Sequence, residues 1–178
     1  MKISHPLAKD AGFSLIEVLI AFVIIMVGVL GFAKSQAVAL SNTTISSTRS
    51  NAALQAASLA AAMHANKVYW ATGSAPASMT VTGTVLSDAT LNGNSAICTS
   101  VACTPSQLAS FDLRTWGDVL QKQFSVGKGG VVCSTVTTVP ITCTISISWQ
   151  EKNVALNRAV TPAAPTPTTQ TYTLIVIP

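Results

Sequence analysis

Glu17 is the only charged residue in an apolar run from Phe13 to Ala33. A carboxylate inside such a run is costly unless something meets it, so its presence implies a functional partner. About 20 apolar residues are also enough to cross a bilayer as a helix. Lys2 and Lys9 precede the run and by the positive-inside tendency stay cytoplasmic, so everything after Lys34 is expected outside the inner membrane. That compartment decides the chemistry of the four cysteines, Cys98, Cys103, Cys133 and Cys143. An even number in an exported, oxidising setting points to disulfides. Three pairings are open in principle, and spacing favours Cys98 with Cys103 and Cys133 with Cys143, each closing a short loop. Zinc is the competing chemistry. The first pair has a usable spacing, but the second is widely separated and the compartment is oxidising.

Catalysis has little to work with. The chain has two histidines, His5 and His64. His64 falls in Ala-rich sequence, where a surface or packed histidine is the ordinary outcome. A Ser-His-Asp arrangement would need a buried carboxylate beside it, and the nearest downstream acid is Asp88, in a Ser/Thr/Asn-rich stretch. Gly127-Lys128-Gly129-Gly130 lacks the spacing and the following Ser/Thr of a phosphate loop and reads as a turn. No catalytic residue, metal or cofactor is expected. Charged residues make up 9% of the chain, against about a quarter in an ordinary globular domain. The net charge of +4 is scattered without a Lys/Arg run, which argues against nucleic acid as a partner.

The elements that must carry these residues follow from pattern. No proline occurs between Pro6 and Pro76, and from Phe13 to Trp70 the only glycines are Gly28 and Gly31, inside the apolar run. Ala52 to Ala65 has high helix propensity. One long helix is predicted from Phe13 to about Tyr69, loosened across the Ser/Thr/Asn-rich stretch Ser41 to Asn51. It would span about 85 Å. Leu40, Leu54, Leu59, Met63 and Val68 are the expected packing stripe of its outer half.

Thr72 to Ser78 opens a second region, followed by a strand-like run from Met79 to Leu86. Thr104-Pro105-Ser106-Gln107 is a helix start with a cap, a first-turn proline and a capping-box glutamine. Ala109, Leu113, Trp116, Leu120 and Phe124 then share one face, predicting a helix from Pro105 to Phe124 despite Gly117. From Ile141 to Trp149 apolar and hydroxyl residues alternate strictly, as in a half-buried strand. Val131 to Val136 should pair with it as a hairpin clamped by Cys133 and Cys143. A Pro-rich loop follows Thr161, and Tyr172 to Ile177 reads as a last buried strand. Helix first and strands afterwards imply an α+β fold, with an antiparallel sheet laid on the helix.

The short basic leader, Gly12-Phe13 at the junction and Glu17 five residues into the product resemble the class III signal of type IV prepilins. The resemblance implies cleavage after Gly12, N-methylation of the new amino terminus at Phe13, and pairing of Glu17 with the terminal amine of a neighbouring subunit. The chain also resembles PilV-type minor pilins in Gly12-Phe-Ser-Leu-Ile-Glu-Val-Leu-Ile-Ala21, in Gly28-Val29-Leu30-Gly31 and Gln36, and in the Cys98–Cys103 segment leading to Asp112, Leu113 and Trp116. Ile145-Ser-Ile-Ser-Trp149-Gln-Glu extends the likeness. An ordinary secretory signal, cut near Ser35-Gln36-Ala37 or Ala37-Val38-Ala39, is disfavoured by the length of the run and by Glu17.

The likeness implies a leader at 1–12, a transmembrane and filament-core helix half at 13–33, an outer half at 34–70 and a disulfide-bonded periplasmic head at 71–178. It implies a type IV pilin-like fold and a structural subunit that primes pilus assembly at or near the tip. Expected partners are the prepilin peptidase/methyltransferase, inner-membrane lipid, other minor pilins, the major pilin and a tip adhesin. A minor pseudopilin of a type II secretion system shares the same leader and helix. A DNA-binding pilin of a competence system would need a basic patch, for which Lys122, Lys128, Lys152 and Arg158 are the candidates.

Overall fold

The computed structural model describes Gly12 and residues 14–135, 140–151 and 167–178. Residues 1–11 of the leader, Phe13, Val136, and the Pro-rich loop up to Thr166 with Lys152 and Arg158 lie outside these residues. Two compact units divide the chain, Met1–Asn42 and Thr43–Pro178. Helix α1, Leu15–Ala65, supplies the regular structure among the described residues of the first and begins the second. The second continues with α2 (Lys67–Trp70), β1 (Ser78–Thr82), β2 (Val85–Leu86), α3 (Ala89–Gly93), α4 (Pro105–Gln123), β3 (Lys128–Cys133), β4 (Cys143–Glu151) and β5 (Thr168–Val176). The five strands form one antiparallel sheet in the order β2-β1-β3-β4-β5, so the fold is α+β and pilin-like.

The helix differs from expectation in two places. Ser41 to Asn51 is regular α-helix rather than loosened, and Thr48 returns its hydroxyl to the Thr44 carbonyl at 2.9 Å. The break comes instead at Asn66, which leaves helical geometry and donates its side-chain N–H to the Pro105 carbonyl at 2.8 Å. The packing stripe is Ala52, Ala56, Leu59 and Met63, all buried, whereas Leu40, Leu54 and Val68 are exposed. Leu54 lies two residues, about 200° of helical turn, from both Ala52 and Ala56. The larger side chain therefore faces away while the alanines face the core.

Helix α4 starts as its sequence prescribes. The Thr104 hydroxyl accepts from Gln107 N, and the Gln107 side chain accepts from Thr104 N, completing the capping box. Ala109, Leu113, Trp116 and Leu120 are buried, with Phe124 as the buried C-cap. Gly117 lets the helix approach β1 closely, because a Cβ there would collide with the Gly83 carbonyl and with Val81. Met79 to Leu86 resolves into the β1–β2 hairpin, turned through Gly83 at φ 55°.

Two strand expectations are corrected. Lys128-Gly129-Gly130 is the start of β3 rather than a turn. The Trp116 ring lies where a Gly129 side chain would be, so the glycine serves packing rather than reversal. The last strand is not buried: β5 is a sheet edge with only Val176 fully buried, and Ile175 and Ile177 are exposed. β4, by contrast, alternates buried and half-buried residues along its whole length.

Candidate functional site

The first unit presents one chemical feature. Ser14 O accepts from Glu17 N at 3.0 Å and from Val18 N at 3.3 Å, so the helix begins directly ahead of Glu17. Every described residue from Ser14 to Ala33 is exposed, including Leu19, Phe22, Ile24 and Phe32. Glu17 stands in the first turn with no ion pair among the described residues. Nothing packs within 4 Å of the position a side chain would take at Gly12. The segment is long and apolar enough to cross a membrane.

The second unit binds its parts by disulfides and a few buried polar contacts. Cys98 is bonded to Cys103 and Cys133 to Cys143, the latter pair directly opposite each other across β3 and β4. Glu151, 8% exposed at the end of β4, accepts from the Trp149 indole at 3.1 Å and meets Arg49 of α1 at 3.5 Å. Ser110, buried on α4, donates to the Leu91 carbonyl at 2.7 Å. Arg114 reaches the carbonyls of Thr84 and Asn92, and the Trp116 indole donates to Gln55 O of α1 at 2.9 Å. The Ser110 and Arg114 contacts hold the segment carrying β2 and α3 on α4.

Sequence reasoning did not single out Arg49, although a signal existed. It is the sole formal charge between Ser35 and Asn66, as Glu17 is within the apolar run. Glu151 gave no such signal.

His64 is exposed on α1, and a groove of about 600 Å³ between α2, the α3 cap and the start of α4 is lined by Tyr69, Asp88, Thr104 and Ser106 without a histidine. Burial, with the Asp88 charge as a second cause, pushes the Tyr69 hydroxyl up to about 12. Burial alone raises the Asp112 carboxyl above its ordinary value. Among the described residues no group of three or more His, Cys, Asp or Glu side chains could hold a metal. Of the basic candidates, Lys122 is engaged by Asp118 at 2.6 Å and Lys128 is exposed at the start of β3.

Residues 7–33 match the family model of the prokaryotic N-terminal methylation motif, a class III prepilin signal. No curated protein and no solved structure matches the chain. The match spans the junction, Gly12, Phe13 and Glu17, and supports a pilin or pseudopilin. It implies processing by a prepilin peptidase and assembly with other pilins, and with the apolar helix it fits anchoring in the inner membrane.

Proposed function

We propose that the chain is a minor pilin, of PilV type, that helps prime type IV pilus assembly and sits at or near the pilus tip. The observation that carries this reading is the methylation motif at 7–33 with Glu17 inside it, followed by a disulfide-bonded α+β head. In this reading residues 1–12 are a leader removed between Gly12 and Phe13, and Phe13 becomes the methylated amino terminus. Residues 13–33 hold the subunit in the bilayer and later in the filament core. The outer helix half at 34–70 joins that core to the periplasmic head, 71–178. Glu17 is the docking group, because a carboxylate at that depth gains most from the amine of a neighbouring chain. The protein acts as the substrate of its processing enzyme, and as a structural subunit afterwards.

The test is N-terminal sequencing of the mature protein together with its recovery in sheared pili. A methylated Phe13 start and sub-stoichiometric recovery with the major pilin are expected, and Gly12→Val should leave full-length precursor in the membrane. A start at Val38 or Leu40 would return the chain to the ordinary secretory signal. Recovery only with a secretion apparatus would favour the pseudopilin.

A further inference from the structure

Tyr69 is 7% exposed, yet its hydroxyl meets no hydrogen-bond partner among the described residues. No buried polar side-chain atom of those residues is left unsatisfied, so the Tyr69 oxygen is not sealed in. It opens on the groove of about 600 Å³ where α2 meets the starts of α3 and α4. Buried tyrosines usually give their hydroxyl a partner, and a cavity of this size is in the range of small-molecule sites.

The groups around that hydroxyl are mixed in kind. The Asp88 carboxylate uses one oxygen to accept from Leu91 N at 2.9 Å and keeps the other, and its charge is felt at Tyr69. The Thr90 hydroxyl also lines the groove, engaged by no other group among the described residues. Ser106 accepts from the Asn94 side chain at 3.2 Å, which leaves its own proton to donate. Ser106 N lies in the first turn of α4, where a backbone N–H has no carbonyl one turn back. Val68, Pro76 and Pro105 supply apolar surface beside these groups.

The walls are fixed before any ligand arrives. The Asn66 side-chain amide donates to the Pro105 carbonyl at 2.8 Å, holding the end of α1 against the start of α4. Asn94 ties the segment after α3 to the same turn, and the Cys98–Cys103 bond closes the loop between them. A site built this way loses little freedom on binding.

Charge narrows the occupant. Asp88 repels an anion, and no basic side chain lines the groove to receive one. The α4 N-terminus carries the positive end of a helix dipole and opposes a cation. A neutral ligand whose polar groups each donate and accept satisfies the carboxylate, the N–H and the hydroxyls together. Hydroxyls on adjacent ring carbons have that property, and the C–H face of such a ring can lie on the prolines. We infer that the groove binds a neutral saccharide unit, with Asp88 accepting from its hydroxyls and Tyr69, Thr90 and Ser106 completing the set. The groove lies wholly within the second unit, and the inference does not depend on the prepilin reading.

The chain has two tyrosines, so ring-labelled tyrosine gives one NMR signal in the groove, Tyr69, and one on β5, Tyr172, as an internal control. The full-length chain in sugar-free zwitterionic micelles is titrated with the methyl glycosides of glucose, galactose and mannose. At least one should shift the Tyr69 signal saturably, with half-saturation on the order of 1 mM, and leave Tyr172 in place. Asp88→Asn keeps a cap for α3 but removes the charged acceptor, and should weaken binding about tenfold. Ser106→Ala should weaken it about threefold. An unchanged Tyr172 signal shows that each variant is folded, and Thr90→Val replaces either one that is not. No shift with any of the three glycosides, an equal shift at both tyrosines, or undiminished binding by the folded variants overturns the site. n-Butylammonium and glucuronate test the charge argument, and equal or tighter binding of either overturns the neutral class.

Discussion

Two stretches of α1 each carry a single charge in an otherwise uncharged sequence, and the two charges meet different surroundings. Glu17 lies among exposed Leu, Ile, Val and Phe residues with no ion pair among the described residues. Arg49 opens the stretch that leads into Ala52, Ala56, Leu59 and Met63, and its guanidinium meets Glu151 of β4. Large apolar side chains cover the first stretch, which is long and apolar enough to cross a membrane. The buried face of the second is half alanine, Ala52 and Ala56 beside Leu59 and Met63, and the Trp116 indole of α4 reaches the Gln55 carbonyl within it. The same helix is thus written in two codes, one for a fluid or repeating environment and one for a particular partner surface.

The largest contrast should appear on truncating leucines within the second stretch. Leu59→Ala removes a buried side chain and should cost about 2–5 kcal/mol of head stability. Leu54→Ala, five residues away on the exposed face, should stay within about 0.5 kcal/mol. Denaturant unfolding of the two variants checks this, and equal losses would mean that Leu54 is covered in the solution form.

Removing the charge of the first stretch should act on assembly and leave head stability unchanged. Glu17→Ala is expected to be inserted and cleaved normally, but to be recovered in pilin complexes at about a tenth of wild type or less. Glu17→Asp, with the charge kept and the reach shortened, should be intermediate. Wild-type recovery of Glu17→Ala, normalised to membrane level, would remove Glu17 as the docking group.

Arg49 should behave in the opposite way, acting on stability with a modest effect. Its side chain is 57% exposed, so screening keeps its coupling to Glu151 below about 1 kcal/mol in a double-mutant cycle. Glu151→Ala should cost more than Arg49→Ala, since it also strips the buried Trp149 indole of its acceptor.

The smallest effect concerns Asp112, a half-buried carboxyl on α4 that burial raises above its ordinary 3.8. The folded head holds that proton more tightly than the unfolded chain. Stability therefore falls as pH rises from 3.8 through the raised value, and the penalty is complete at neutral pH. Asp112→Asn should stabilise the head at pH 7 by less than about 1 kcal/mol, given its exposure. The gain should vanish below pH 3.8 in thermal melts across pH.

Elements whose rules are local were legible in the sequence. The α4 start is a matter of four consecutive residues, and the β4 alternation needs only a sheet with one buried face. Elements whose character depends on a distant partner were not. Gly129 looks like a turn residue until the Trp116 ring is laid on it. β5 reads as buried because its residues are apolar and β-branched, but position in the sheet order sets its exposure, and sequence does not state that order. Leu59 and Met63 of the expected helix stripe are buried, but Leu40, Leu54 and Val68 were misassigned to it because size was taken as the mark of a core residue. At the candidate site the opposite held. The motif at 7–33 is contiguous and needs no fold to be recognised, whereas Glu151 becomes meaningful only beside Arg49 and Trp149.

The bond between Cys133 and Cys143 joins residues that face each other in the β3–β4 ladder, at the end where the connecting loop leaves the sheet. The bond is a mechanical bypass placed in parallel with the loop. Tension applied along the backbone would cross from strand to strand through the two sulfurs. The strands cannot be unzipped from that end, nor can one slide past the other by the single residue that would turn every Ile of β4 toward water. A head that has been stretched and released thus recovers the same pairing without having to search for it.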